Sequence, residues 1–200
     1  YPSIVGCGEN ATILHYTTNR DVCGDDEVIL IDAGAEFRGY ASDITRSWPI
    51  SGSFTDAQRE IYDIVLEAQL AAIDACRVGN LYTAPHDAAR KVLAEGLIRL
   101  GVITQSVEDA MDTDTGELKR WYMHNTSHWI GLDVHDAGVY KPGGAPRLLE
   151  PGMCLTVEPG LYFGAWRPDV DCPERYANIG IRIEDDVLIT DNGCQVLSRG

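Results

Sequence analysis

The chain of 200 residues is long enough for one sizeable domain, and its apolar content of 44% is typical of globular proteins. Its 16 basic and 31 acidic residues give a net charge of −15, so we expect neither a nucleic acid nor an anionic membrane surface as a partner, because a negative surface repels both. No apolar run approaches the length of a membrane span. The six cysteines lie far apart without a C-x-x-C pair, which favours neither a zinc ribbon nor a disulfide framework and predicts a cytoplasmic location.

The organisation of the chain indicates one domain. No linker, low-complexity tract or clear repeat interrupts it. The first residue is Tyr1 rather than methionine, and no signal peptide opens the chain. We therefore expect residues 1–200 to be one domain, incomplete at its N-terminus, from a longer polypeptide.

Two extended segments in the first quarter of the chain predict a hairpin. Residues 27–33 are a β-branched run, residues 34–39 resemble a turn, and residues 40–48 form a second extended stretch. This hairpin carries two acids, Asp32 and Asp43.

Helices are predicted in the middle of the chain. Thr55 and Gln58 have the spacing of a capping box, and apolar residues at helical spacing follow them, which predicts a helix over residues 55–76. A second helix is expected from near Pro85 to Gly101, because one side of it is apolar and glycine commonly ends a helix.

The C-terminal third is predicted to be extended. Residues 153–157, 179–183 and 187–190 are apolar or alternating segments that Pro- and Gly-rich turns separate. Together with the helices they predict an α+β fold in which the strands carry the polar residues of interest.

Acids stand where core strands should continue. Asp32 follows Val-Ile-Leu-Ile, Glu158 follows Leu-Thr-Val, and Glu184 follows Ile-Arg-Ile. Burying an ionised carboxylate costs several kcal/mol unless a cation or several donors accompany it. Any one of these acids could reach water at a strand end or pair with Arg46 or Arg182, but three of them together favour a cation site.

The distribution of the five histidines supports a site. His15 lies in one short polar segment, and His124, His128 and His135 lie in another. Imidazole is the commonest metal ligand and proton shuttle, so the cluster favours a metal or catalytic site. His86 stands alone on the second predicted helix, and we expect it to be structural.

Oxygen-rich ligand sets with one or two imidazoles suit manganese, iron, cobalt or zinc, and carboxylates that can bridge suit a pair of ions about 3.5–4 Å apart. Two divalent cations would also balance four carboxylates. Sulfur ligation is disfavoured because Cys154 is the only cysteine near these acids. The chain has no phosphate-binding glycine loop followed by Lys and Ser or Thr, and no G-x-S-x-G nucleophile elbow.

Four motifs make the chain similar to a known family. IDAGAEFRGYASDITRSWP, HNTSHWIGLDVHD, LEPGMCLTVEPGLY and NIGIRIEDD, in that order, resemble Xaa-Pro aminopeptidase (aminopeptidase P). That family belongs to the pita-bread metallopeptidases, with prolidase, methionine aminopeptidase and creatinase. The resemblance implies a curved, mostly antiparallel sheet with flanking helices. It also implies that residues 1–200 are the C-terminal catalytic domain without the family's N-terminal domain and leading helices.

The resemblance further implies a dinuclear metal site that hydrolyses the Xaa-Pro bond at peptide N-termini. Two divalent ions, with manganese as the usual activator, would hold a bridging hydroxide that acts as the nucleophile. The implied ligands are Asp32, Asp43, His128, Glu158 and Glu184, of which Asp43 and Glu184 bridge. Glu158 would also be the general base. The implied accessory histidines are His15, His124 and His135, and Tyr162 and Arg182 would lie near the substrate.

Departures and alternatives follow from the same comparison. Asn125 stands where the family commonly has glycine, a position where the backbone can require a positive φ. Prolidase shares all five ligands and grips its dipeptide with an arginine in a longer insertion; here residues 158–184 are short, although Arg167 lies among them. A pita-bread binding module without catalysis is disfavoured because every ligand is present. The expected partners are peptides with proline in the second position and, through regions outside this chain, further copies of the protein.

Overall fold

The computed structural model describes residues 1–198. Its N-terminal part is antiparallel sheet. The strands are β1 (Ile4–Cys7), β2 (Val28–Ala33), β3 (Glu36–Phe37), β4 (Tyr40–Ala41) and β5 (Ile44–Pro49). The order in the main sheet is β1-β2-β5, and β3 and β4 form a small hairpin between β2 and β5. The predicted pairing of the two extended segments is therefore confirmed, with Asp32 opposite Thr45 in the register.

Helices α1 (Asp56–Ala75), α2 (Ala84–Arg99) and α3 (Val107–Ala110) follow. The predicted capping box is confirmed, because Thr55 Oγ1 accepts from the Gln58 amide and Gln58 Oε1 accepts from the Thr55 amide. Gly96 lets α2 approach α1 closely, since a Cβ there would lie 2.6 Å from the Ile64 side chain. None of the helices in residues 1–198 combines the length and apolar character of a membrane span.

The C-terminal strands are β6 (Cys154–Val157), β7 (Gly160–Tyr162), β8 (Gly180–Arg182), β9 (Asp185–Thr190) and β10 (Gly193–Val196). They form a sheet of order β10-β9-β6 and a separate pair, β7-β8. The Glu184 amide donates to the Thr45 carbonyl at 3.1 Å, which ties the end of β8 to the N-terminal sheet. The acids of both halves of the chain therefore meet at one seam.

The main core lies between the helix pair and the C-terminal strands. Ile61 and Val65 of α1 and Leu97 of α2 are fully buried with Leu155 of β6 and Val187 of β9. Apolar surface removed from water contributes about 25 cal/mol for each Å², so this packing stabilises the fold and offsets the cost of burying acids elsewhere.

A disulfide joins Cys7 to Cys23, which the cysteine spacing did not predict. It bridges a sequence separation of 16 residues and closes a loop that contains His15. Residues 13–23 of that loop contain no helix or strand, so the disulfide is one of the constraints on their path. The cytoplasmic location stays a prediction, and the disulfide counts against it because disulfides persist mainly in oxidising compartments.

Candidate metal centre and active site

A cavity of about 660 Å³ is lined by most of the candidate site residues that the sequence predicted. All five histidines of the chain line it, together with Arg182 and four acids. The acids are Asp32, Asp43, Glu158 and Glu184. Tyr162 does not line the cavity but contacts two residues that do.

The pairing of β2 with β5 brings Asp32 and Asp43 together. The hydroxyl of Tyr1 donates to Asp32 Oδ1 at 2.7 Å and lies 2.6 Å from Asp43 Oδ1. Sequence reasoning missed Tyr1, because it lies outside every motif. Only the pairing of β1 with β2, which sets Ile4 opposite Asp32, places the start of the chain beside these acids.

Three candidate ligands converge from three separate segments. One ligand atom from each of Asp43, His128 and Glu184 lies within 4.8 Å of the others. His128 Nε2 is 3.4 Å from Asp43 Oδ2 and 3.5 Å from Glu158 Oε1. His128 Nδ1 donates to the Trp129 carbonyl at 3.0 Å, which fixes the tautomer and leaves the Nε2 lone pair directed at the acids.

Threonines orient the two glutamates. Thr45 Oγ1 donates to Glu184 Oε2 at 2.6 Å, and Thr156 Oγ1 donates to Glu158 Oε1 at 3.3 Å. Such donors hold a carboxylate in one rotamer and leave its remaining lone pairs for a cation.

Three of the four acids lack sufficient compensating charge, whereas hydrogen bonds from His128 and Tyr1 outweigh burial and lower the pKa of Asp43. Burial raises the pKa of Glu158 to about 7, even though Arg182 acts in the opposite direction. Burial and the neighbouring acids raise the pKa of Glu184 well above its ordinary value, and burial also raises the pKa of Asp32. Carboxylates and an imidazole that are buried together with excess negative charge form a site that suits hard divalent cations.

Arg182 is a structural cation of this wall. It is 3% exposed, and each of its three guanidinium nitrogens donates to a protein oxygen. The acceptors are Asp32 at 2.8 Å, the Tyr162 hydroxyl at 3.0 Å and Thr45 Oγ1 at 3.1 Å. Arg46, the other candidate partner for these acids, pairs with Asp185 at 2.8 Å instead.

His124 continues the same hydrogen-bonded row. Its Nδ1 donates to the Asn125 carbonyl at 2.8 Å, and its Nε2 accepts from the Tyr162 hydroxyl at 2.8 Å. Burial and the positive charge of Arg182 lower the pKa of His124 to about 3, so the ring is neutral. Asn125 is not among the residues with positive φ, so this backbone position makes no demand for glycine.

Two histidines lie at the cavity wall in a different way. His135 packs edge-on against His128, with ring centroids 4.3 Å apart. His15 lines the cavity from the loop that the disulfide closes. Both rings line the cavity, and within residues 1–198 neither forms a hydrogen bond to another side chain or to the backbone.

His86 lies with the other histidines of the site, although it stands alone in the sequence, and its structural role stays a prediction. Helix α2 places it in the cavity wall, with its Nδ1 2.9 Å from Thr126 Oγ1. Arg167 shows the opposite outcome. It donates to the Arg120 carbonyl at 2.6 Å, pairs with Asp169 at 2.9 Å, and does not line the cavity.

Comparison with known proteins identifies the family to which the chain belongs. The model of metallopeptidase family M24 matches residues 1–191. The chain is 48% identical over 198 residues to the Xaa-Pro aminopeptidase of Escherichia coli (strain K12), covering 99% of this chain and 44% of that protein. It is 44% identical to the Xaa-Pro aminopeptidase of Haemophilus influenzae, covering 99% of this chain and 45% of that protein.

Solved structures give the same result. Aminopeptidase PepP of Pseudomonas aeruginosa superimposes with a TM-score of 0.93 at 47% identity, over 99% of this chain and 44% of that chain. Aminopeptidase P of E. coli with the inhibitor Pro-Leu gives 0.91 at 47% identity, with the same coverage. The predicted α+β pita-bread fold is therefore confirmed. The chain spans less than half the length of these relatives.

Proposed function

Because the chain belongs to metallopeptidase family M24, we propose that it is the catalytic domain of an aminopeptidase that hydrolyses the Xaa-Pro bond at peptide N-termini. The observation that carries this proposal is the convergence of Asp43, His128 and Glu184, with ligand atoms within 4.8 Å, in a cavity that two more acids line. The relatives that share the fold are named Xaa-Pro aminopeptidases. The longer polypeptide would supply the N-terminal domain and the contacts between copies.

The proposed ligands of two divalent ions are Asp32, Asp43, His128, Glu158 and Glu184. Manganese is the proposed metal, and zinc, cobalt or iron would also suit the donors. When bound, such a pair supplies a hydroxide at neutral pH and polarises the scissile carbonyl. The buried seam between the two sheets brings these side chains together.

Glu158 is the proposed proton carrier. The Glu158 carboxylate takes a proton from the attacking water, and the resulting hydroxide oxygen bonds to the scissile carbonyl carbon. Glu158 then gives that proton to the proline nitrogen as the carbon–nitrogen bond breaks. A carboxylate held in a water-poor cavity can act in turn as a base and as an acid.

The histidines and their neighbours would orient the peptide. His15 and His135, which line the cavity, are proposed to donate to the substrate and to the oxyanion that develops at the carbonyl oxygen. The row from Arg182 through Tyr162 to His124 is proposed to hold the wall of the substrate pocket in place.

One observation favours the dipeptidase alternative. Lys141 lines the cavity as an exposed cation, while Arg167 is turned away to Asp169. A cation near the end of a bound dipeptide would select for its carboxylate. Because Arg167 does not supply that cation, we retain aminopeptidase activity as the proposal and test Lys141 directly.

The experiment uses the full-length protein with Mn²⁺, an Xaa-Pro-Yaa tripeptide and the corresponding Xaa-Pro dipeptide. Wild type should release Xaa from the tripeptide at least as well as from the dipeptide. Glu158→Gln should lose mainly kcat, whereas Asp43→Ala or Glu184→Ala should lose both hydrolysis and metal content measured by inductively coupled plasma mass spectrometry. Exposed Asp87→Asn on α2 is the control. A wild-type protein that retains no divalent metal after dialysis would instead be a binding module, and full activity of Asp43→Ala at limiting metal would refute the ligand assignment.

A further inference from the structure

The segment between His124 and His128 is fixed by contacts from two directions. From the sheet, the Glu158 amide donates to the Thr126 carbonyl at 2.8 Å, and the Thr156 amide donates to the His128 carbonyl at 3.0 Å. From the other side, the Tyr82 hydroxyl donates to the Ser127 carbonyl at 2.6 Å, and, within residues 1–198, the α2 side chain that bonds to this segment is His86.

Within residues 1–198, His86 accepts hydrogen bonds at Nδ1 and at no other atom. The Thr126 amide donates to His86 Nδ1 at 3.2 Å, so that nitrogen carries a lone pair and the proton of the ring is on Nε2. The Thr126 hydroxyl, 2.9 Å from the same nitrogen, can then only donate to it. The direction of these bonds follows from the backbone donor, which cannot be reversed.

The direction of the bond from Thr126 to His86 also fixes the direction of the hydrogen bond between Thr126 and Tyr122. Thr126 is fully buried, and its Oγ1 lies 2.6 Å from the Tyr122 hydroxyl. Since Thr126 donates to His86, it accepts from Tyr122. The Tyr122 ring in turn packs edge-on against His124, with centroids 4.8 Å apart. A relay of three contacts thus leads from α2 to an active-site histidine.

We propose that His86 is a positioning residue of the active site, whose Nδ1 lone pair orients Thr126 and, through Thr126 and Tyr122, holds His124 against the cavity. The proposal rests on the proposed function, because it assigns His86 a part in that same reaction. Burial and the nearby Arg90 lower the pKa of His86 to about 4, which keeps the accepting, neutral form at physiological pH.

Three substitutions at His86 separate positioning from bulk. Asparagine places an amide oxygen where Nδ1 stands, glutamine places its polar atoms one bond further out, and leucine has no acceptor. We expect His86→Leu and His86→Gln to lower kcat/KM about 10- to 100-fold, as lost supporting contacts around active-site ligands do, with metal content unchanged. His86→Asn should restore activity to near the wild-type value. The control is Asp87→Asn, an exposed change on the same helical turn.

A double-mutant cycle tests the relay itself. Thr126→Val keeps the amide donor but removes the hydroxyl that connects His86 to Tyr122. If the relay exists, the fold losses of His86→Leu and Thr126→Val multiply to more than the loss of the double variant. The midpoints of thermal unfolding of His86→Asn and His86→Gln should be equal. A difference in their activity then does not come from a general loss of structure.

The decisive measurements are kinetics of the full-length manganese enzyme and hydrogen exchange of the peptide that contains the Thr126 amide. Exchange should be faster in His86→Gln than in His86→Asn. Equal activity of these two variants, or independent losses in the cycle, overturns the proposal. If wild type cleaves no Xaa-Pro peptide, the proposed function fails, and the exchange rates alone then decide whether His86 holds Thr126.

Discussion

Replacing Arg182 by methionine should destabilise the protein far more than breaking an exposed ion pair. The Arg182 and Asp32 side chains are 4% and 11% exposed, and the guanidinium serves three acceptors. Methionine is similar in length but leaves the Asp32 charge without its cation. Removing one partner of a buried pair costs about 3–5 kcal/mol, because the remaining charge stays out of water. At about 2–4 °C for each kcal/mol, the midpoint of thermal unfolding should fall by about 6–20 °C.

The matched control is Arg175→Met. Arg175 pairs with Glu60 at 2.7 Å, a distance as short as the buried one, but the two side chains are 56% and 35% exposed. Exposed pairs contribute about 0.2–1 kcal/mol, so this variant should shift the midpoint by only a few degrees. The assay is urea and thermal unfolding of the full-length protein in EDTA. If Arg182→Met costs no more than Arg175→Met, the account of Arg182 as the compensating charge of Asp32 is wrong.

Adding Mn²⁺ extends the same test to the metal site. A ligand that binds only the native state stabilises it by mass action. Because Asp32 is a proposed ligand, a divalent cation should replace part of the charge compensation that Arg182→Met removes. The gain in midpoint on adding Mn²⁺ should therefore be larger in Arg182→Met than in wild type. An equal gain in the two proteins would place Asp32 outside the metal site.

Three further outcomes are expected. Burial and Arg90 lower the pKa of His86 to about 4, so on acidification the unfolded chain binds a proton at this residue before the folded protein does. The free energy of unfolding should therefore fall as the pH drops from about 6.5 to 4. In urea titrations at several pH values, His86→Asn should reduce this fall by about 3 kcal/mol. Alkylation followed by peptide mapping should find Cys7 and Cys23 labelled only when the protein is first reduced, and labelling without reduction would contradict the disulfide. The double variant Cys7→Ser with Cys23→Ser should have a free energy of unfolding lower by about 3 kcal/mol. Lys141→Ala should leave the ratio of tripeptide to dipeptide kcat/KM unchanged, and a selective loss of dipeptide cleavage would assign the protein to the prolidases.

Local patterns were enough to predict much of the fold. The β-branched run before Asp32, the capping box at Thr55 and Gln58, and the apolar spacing of α1 each describe neighbours along the chain. Acids that follow apolar strands were informative for the same reason, because the cost of burying a charge can be read from the residues beside it. The motifs therefore predicted the fold, which is confirmed, and led to the proposal of the hairpin acids and His128 as metal ligands.

Tertiary structure alone decided which of these groups have partners. Tyr1 reaches two acids because β1 pairs with β2, and His86 reaches Thr126 because α2 packs across the segment that carries it. Cys7 and Cys23 meet because the segment between them, a short 3-10 helix at Gly8–Thr12 followed by irregular backbone, folds back on itself. In each case the contact joins residues distant in sequence, and no spacing rule reports such a distance.

The cations show the same division. Arg182 and Arg167 both stand near the motifs, but β8 buries Arg182 against Asp32, and Arg167 turns outward to Asp169. Sequence by itself determined that compensating charge was needed somewhere near these acids, because their burial followed from the strands. Which cation supplies it depends on where the strands cross, since electrostatic energy falls with distance in space and not with separation along the chain.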